Sequence, residues 1–251
     1  MWANTPGRTR VRSADEARPI SGRSPQRTVI GTAFAVVASL VLWGCGTDGT
    51  ELRAVGIRAE GCGPGAGKGS GLIVEPGVIL TSAHVVAGAD TITVLIDADT
   101  EANATIVGFD PFMDLAYLQT PAEAATDAIE PSISSDDVEP GSSGRALVFR
   151  DGAPTELDVQ VRRRVQINTE DIYVEGDITR PGFELTADIE FGDSGGAVYV
   201  DGKIIGVLWA RTRDFDDEGS YAIDVSRARE LIDTQLATGE LGPEVDTSRC
   251  R

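Results

Sequence analysis

The chain has 251 residues, 41% hydrophobic and 25% charged, which allows one large all-β domain or two small ones and argues against disorder throughout. Its formal net charge of −18 argues against nucleic acid as a partner, because a phosphate backbone repels such a surface. A single histidine, His84, and three dispersed cysteines exclude a zinc site built on several histidines or on a cysteine cluster, so no catalytic metal is expected.

The first segment reads as an address. Residues 1–44 hold Arg8, Arg10, Arg12, Arg18, Arg23 and Arg27 against only Asp15 and Glu16. Residues 29–43, VIGTAFAVVASLVLW, are uncharged and largely apolar. A basic lead followed by a short apolar run marks export. The run is shorter than the roughly 20 residues a spanning helix needs. Leu42-Trp43-Gly44-Cys45 is similar to a bacterial lipobox, in which the cysteine is acylated and becomes the mature N-terminus. Trp43 departs from that pattern, which usually has a small or β-branched residue there. The expectation is a 1–44 leader, a lipid on Cys45 that holds the protein on the outer face of a membrane, and a 45–51 linker. An uncleaved signal anchor and simple secretion are the alternatives. With Cys45 acylated, Cys62 and Cys250 remain, and outside a reducing cytosol two leftover cysteines are expected to pair.

From about residue 52 the pattern changes to short apolar runs bounded by Gly, Pro and Asp. They include Leu72 to Val74, Val78 to Leu80, Ile92 to Ile96, Thr105 to Val107 and Leu115 to Leu118. A polar stretch after Pro121 reads as a connection. Runs resume at Ala146 to Phe149 and continue through Leu157 to Ile167, Ile172 to Val174, Ala197 to Val200, Ile204 to Trp209 and Tyr221 to Val225. Many short strands separated by turn signals predict an all-β barrel or sandwich. Two groups of runs predict two barrels, at 52–121 and 145–224, joined by 122–144. Residues 225–237, VSRARELIDTQLA, place Val225, Ala228, Leu231, Ile232, Gln235 and Leu236 near one face and predict a terminal helix, with a 238–251 tail. The glycine-rich stretch Gly61 to Gly71 fails the phosphate-loop spacing, because Cys62 and Gly69 stand where that motif needs Gly and Ser or Thr.

Three segments carry chemistry together. Gly192-Asp193-Ser194-Gly195-Gly196 sets a serine in a turn whose glycines let backbone N–H groups converge. A serine hydroxyl needs a base, and the only imidazole stands in Thr81-Ser82-Ala83-His84, directly after a predicted strand. Asp114 opens the run Asp114-Leu115-Ala116, where a carboxylate that becomes buried requires a partner; Asp110 is its rival. The order His, Asp, Ser is that of the chymotrypsin fold and not of subtilisin or the α/β-hydrolases.

With Gly69-Ser70-Gly71, these motifs make residues 52–235 resemble the chymotrypsin-fold serine proteases, specifically the bacterial exported trypsin-like peptidases. The resemblance implies two packed six-stranded antiparallel barrels, a polypeptide substrate and no cofactor. It implies Ser194 as nucleophile, His84 as general base, Asp114 as the residue orienting His84, and the N–H groups of Gly192 and Ser194 as the oxyanion hole. Asp193 is expected to meet a cation in Arg162-Arg163-Arg164, since no freed N-terminus is at hand. No separate C-terminal peptide-binding domain is visible in the sequence. Asp188 stands where the trypsin branch has its pocket carboxylate, which selects Arg or Lys. Arg211 falls near a pocket position that is glycine there, and can neutralise Asp188 and leave a shallow pocket for small apolar side chains. Asp188 as an ordinary turn residue is the third option. A catalytically inactive protease-like binding module and an adhesive surface lipoprotein are the competing functions.

Overall fold

The structure, a computed structural model, describes residues 53–61, 67–125, 132–136, 138–211, 219–228, 234 and 246–249, with the backbone alone for 210, 211 and 227. The leader, Cys45, Cys62 and Cys250 lie outside the described residues, and so does most of the segment expected to be the terminal helix.

Six strands form the first barrel: β1 (Ala54–Gly61), β2 (Gly67–Glu75), β3 (Val78–Thr81), β4 (Ala89–Leu95), β5 (Glu101–Asp110) and β6 (Leu115–Gln119). They close antiparallel in the order β1-β2-β3-β6-β5-β4. A single helical turn, α1 (Ala83–Val86), interrupts the chain between β3 and β4. The second group comprises β7 (Ser132–Ile133), β8 (Ser143–Arg150), β9 (Ala153–Glu170), β10 (Asp177–Thr186), β11 (Ala197–Val200), β12 (Lys203–Arg211) and β13 (Ser220–Asp224). Strands β8-β9-β10-β13-β12 lie side by side, and β11 pairs with both β8 and β12, which closes a second ring of six. The short β7 is added outside the ring, parallel to β12. After β13 the described chain enters a 3-10 turn, Val225–Arg227, and the buried Ala228 accepts a hydrogen bond from the Tyr117 hydroxyl at 3.0 Å.

Strand periodicity explains how the two barrels meet. Val55, Ile57 and Ala59 of β1, Ile92 and Val94 of β4, and Ala116 and Leu118 of β6 share one parity and fill the first barrel. Ala146 and Val148, Val159 and Val161, Phe183 and Leu185 fill the second in the same way. The opposite parity is also buried: Leu72, Leu80 and Tyr117 pack with Leu147, Tyr199 and Ile223 between the barrels. Strands covered on both faces read as unbroken apolar runs, which is why Val78 to Leu80 shows no alternation. Each large side chain so buried contributes about 1.5–3 kcal/mol. The β9–β10 hairpin is long enough to cross the seam, and Ile172 at its tip joins the core of the first barrel.

Candidate active site

His84 occupies α1 at the end of β3, and Asp114 stands immediately before β6. Because β3 pairs with β6, the two ends come together. The His84 Nδ1–H donates to Asp114 Oδ2 at 2.7 Å, and the His84 main-chain N–H donates to Oδ1 at 2.7 Å. The Asp114 carbonyl accepts from the Ala83 N–H at 3.1 Å. Asp114 is fully buried, so these donors are what makes its charge tolerable there. Its φ of 56° is a left-handed conformation that Asp adopts more readily than most side chains. The rival Asp110 does a different job: its Oδ1 accepts from the N–H groups of Phe112 and Met113, both at 2.9 Å, and so shapes the turn before Asp114.

Ser194 lies in the turn between β10 and β11. Gly195 has φ of 91°, and a Cβ there would meet the Ser70 carbonyl at 2.1 Å, so only glycine fits. The Asp193 carbonyl accepts from Gly196 N–H at 2.9 Å, which fixes the peptide plane that carries the Ser194 N–H. Among the described residues neither the Gly192 nor the Ser194 N–H has a main-chain acceptor. The buried Ser70 braces this turn from the first barrel. Its N–H donates to the Ser194 carbonyl at 2.8 Å and its hydroxyl to the Gly192 carbonyl at 2.9 Å, while the same hydroxyl accepts from Phe149 N–H at 3.0 Å. Ser70 was visible in the sequence as part of a motif, but its partners stand up to 124 positions away and only barrel packing brings them in. The Ser194 hydroxyl donates to the Trp209 carbonyl at 3.3 Å rather than to the imidazole.

The cation facing Asp193 is not in Arg162–Arg164. Arg150, at the end of β8, takes that place, with its Nε donating to Oδ1 at 3.0 Å and a second N–H to Oδ2. Asp193 also accepts from Glu190 N–H at 2.6 Å, and the hydrogen bond to Asp193 raises the Arg150 pKa above its ordinary value. The three expected arginines lie in β9, where Arg162 and Arg163 pair with Glu184 and Arg164 with Asp224. Arg150→Met is expected to lower stability by about 3 kcal/mol, because it strands a buried carboxylate, and to slow turnover by about 10–100-fold as the turn loosens. Urea unfolding and steady-state kinetics check this; a variant with unchanged midpoint and turnover would show that Asp193 needs no cation.

Asp188 is exposed, and its main-chain carbonyl, not its carboxylate, is engaged, by Arg150 at 2.9 Å. The backbone of Arg211 pairs with Ser220 in β12–β13, and its side chain lies outside the described residues. Ser220 is buried and donates to the Ala187 carbonyl at 2.7 Å. One cavity borders the His84–Asp114 pair and another borders the serine turn at Phe191. A cavity of about 170 Å³ lies beside His84, Asp114, Ile172, Val174 and Trp209. A groove of about 500 Å³ lies beside Ile57, Lys68, Phe149 and the exposed Phe191.

Two closed antiparallel barrels with such a site along their seam define a chymotrypsin-like fold. The chain belongs to the trypsin-like peptidase domain family, whose model matches residues 69–207. It is 31% identical over 159 residues to the serine protease Rv3671c of Mycobacterium tuberculosis, which covers 61% of this chain and 38% of that protein. It is 32% identical over 172 residues to a probable periplasmic serine endoprotease, DegP-like, of Halomonas elongata, covering 66% of this chain and 34% of that one. The chain thus spans little more than a third of the length of these curated relatives. The crystal structure of the active form of the Rv3671c protease superposes with a TM-score of 0.66 at 28% identity, covering 80% of this chain and 86% of that one.

Proposed function

We propose that the protein is a serine endopeptidase that cuts polypeptides through an acyl-enzyme. The observation that carries this reading is the paired contact of Asp114 with His84, at the side-chain Nδ1 and at the main-chain N–H. With Nδ1–H held by the carboxylate, Nε2 is left with its lone pair free to act as base. Attack requires the Ser194 hydroxyl to leave the Trp209 carbonyl and turn to Nε2. His84 takes the proton as Oγ adds to the scissile carbonyl, and the N–H groups of Gly192 and Ser194 receive the oxyanion. The imidazolium then protonates the leaving amine, and water attacks the acyl-enzyme with His84 again as base. Open space beside His84 and beside the serine turn at Phe191 leaves room for a polypeptide substrate. A serine-directed fluorophosphonate probe is expected to label the wild type at Ser194; a folded protein that takes up no label would instead be an inactive binding module.

For the primary pocket, a small apolar preference and an Asp188 that only shapes a turn are the readings kept over selection of Arg or Lys. Selection of Arg or Lys needs a carboxylate shielded from water, and Asp188 is exposed. Peptide libraries varied at the residue before the cut test this, and strong cleavage after Arg or Lys would reverse it. Export with a lipid on Cys45 remains the proposal for location, supported by the leader's charge pattern and by relatives named as periplasmic. Mass spectrometry of the mature N-terminus checks it: an unmodified Cys45 would remove the anchor. Among the described residues no helix is long and apolar enough to cross a membrane.

A further inference from the structure

Arg180 in β10 is among the most deeply buried large side chains in the described structure, 1% exposed, yet no carboxylate among the described residues lies within ion-pair distance of it. Its donors go to main-chain carbonyls instead. Nε donates to Phe112 at 2.5 Å and one terminal N–H to Pro111 at 3.1 Å; the other reaches Glu170 on β9 at 3.5 Å. Its guanidinium carbon lies 5.9 Å from the ring centre of Trp209, within cation–π range. Burying a guanidinium is costly, and an apolar residue would serve simple packing better. The carbonyls it holds belong to the two residues that precede Met113 and Asp114, so Arg180, from the second barrel, grips the turn that delivers Asp114 in the first. The residue delivered sits in a left-handed conformation that local preference alone does not secure. Trp209, whose ring lies at the outer edge of cation–π range of the guanidinium, supplies the carbonyl that holds the Ser194 hydroxyl.

Resting on the triad roles above, we propose that Arg180 is a positioning residue for catalysis, a buried clamp that fixes the Asp114 turn and the Trp209 strand across the seam between the barrels. The charges around it fit that place. Burial lowers the Arg180 pKa, while Asp114, Asp110 and Asp171 oppose this through space. The guanidinium thus feels the Asp114 charge through space, while the two Asp114 oxygens accept from His84.

The test uses the full chain with Arg180→Met and Arg180→Lys. Arg180→Met keeps length but removes every donor; Arg180→Lys keeps the charge and loses the planar fork that reaches two adjacent carbonyls. A small ester substrate is expected to show kcat lowered about 100-fold in Arg180→Met and about 10-fold in Arg180→Lys, with KM within about twofold, as for a catalytic group misplaced by about 1 Å. The chain has one histidine, so the low-field proton resonance of the His84–Asp114 hydrogen bond is unambiguous. It is expected to shift or broaden in Arg180→Met and to be largely retained in Arg180→Lys. A folded Arg180→Met protein with wild-type kcat and an unmoved resonance would overturn the proposal, and so would lowered thermal stability with both unchanged. If Arg180→Met does not fold, wild-type kcat in Arg180→Lys would overturn it instead. Ser194→Ala separates the two levels: if that variant hydrolyses the ester at the wild-type rate, the triad roles themselves have failed, whereas a dead Ser194→Ala beside an unimpaired Arg180→Met removes only the clamp.

Discussion

Ser194→Ala is expected to lower turnover on the order of 10⁶-fold while leaving the fold intact, by analogy with loss of the nucleophile in a subtilisin-type triad. The two expectations have separate causes. The substitution removes one oxygen, whose hydrogen bond in the resting site is a 3.3 Å contact to the Trp209 carbonyl, so little structure depends on it. The braces on the turn are main-chain groups that alanine keeps: the Ser194 carbonyl still accepts from Ser70, and Gly195 N–H still donates to Leu208 at 2.9 Å. The N–H of residue 194 also survives, so stabilisation of an oxyanion persists and some hydrolysis above the uncatalysed rate is expected. Thermal unfolding should be close to wild type, and fluorophosphonate labelling should vanish. Peptide hydrolysis by Ser194→Ala at an appreciable fraction of the wild-type rate would show that another group attacks.

Asp114→Asn is expected to slow catalysis by about 10⁴-fold, and Asp110→Asn by a few-fold at most. In the wild type Asp114 offers two acceptor oxygens, one to His84 Nδ1–H and one to the His84 main-chain N–H. An asparagine has one acceptor and one donor. If its oxygen keeps the main-chain N–H, its NH₂ faces Nδ1 and turns the imidazole to the tautomer whose Nε2 carries the proton, and that nitrogen is no longer a base. The imidazolium formed on attack also loses the buried negative charge beside it. Asp110 differs in kind, since a single oxygen, Oδ1, receives both N–H groups of the following turn. Asparagine keeps that acceptor. Parallel kinetics of the two variants measure the contrast, and a larger loss from Asp110→Asn would transfer the orienting role to it.

Much of this was legible before any fold was known, and the reason is local. Strand existence depends on near neighbours: β-branched runs with glycine and aspartate between them, so the strands and their division into two groups are readable from spacing, while their closure as two packed barrels came with the family resemblance. The runs Leu72 to Val74 and Val78 to Leu80 announce strands buried on both sides without saying what buries them. The turn at Gly192 to Gly196 is legible because a tight bend needs glycine wherever it occurs. The order His84, Asp114, Ser194 is a property of the chain, and only a few folds bring that order to one place.

Partners across the seam belong to the tertiary structure. The charge beside Asp193 illustrates it: three consecutive arginines in β9 look like the obvious source, yet Arg150, 43 residues from Asp193, is the one at hand. Which arginine arrives depends on β8 pairing with β11 and ending beside the turn that leads into β11, a matter of register. Arg180 went unremarked in the sequence because nothing adjacent to it marks a buried guanidinium; two of its three acceptors lie 68 and 69 residues away, in the other barrel. Asp110 and Asp114 are alike by composition, and the choice between them comes from β3 and β6 pairing so that one carboxylate meets α1 and the other caps a turn. Periodicity and turn chemistry are written in neighbouring residues, and so the sequence alone determined the strands, the tight serine turn and the candidate catalytic trio. Ion pairs and main-chain clamps are set by strand register and barrel closure, and so only the packed chain decided which charges stand beside that trio and hold it in place.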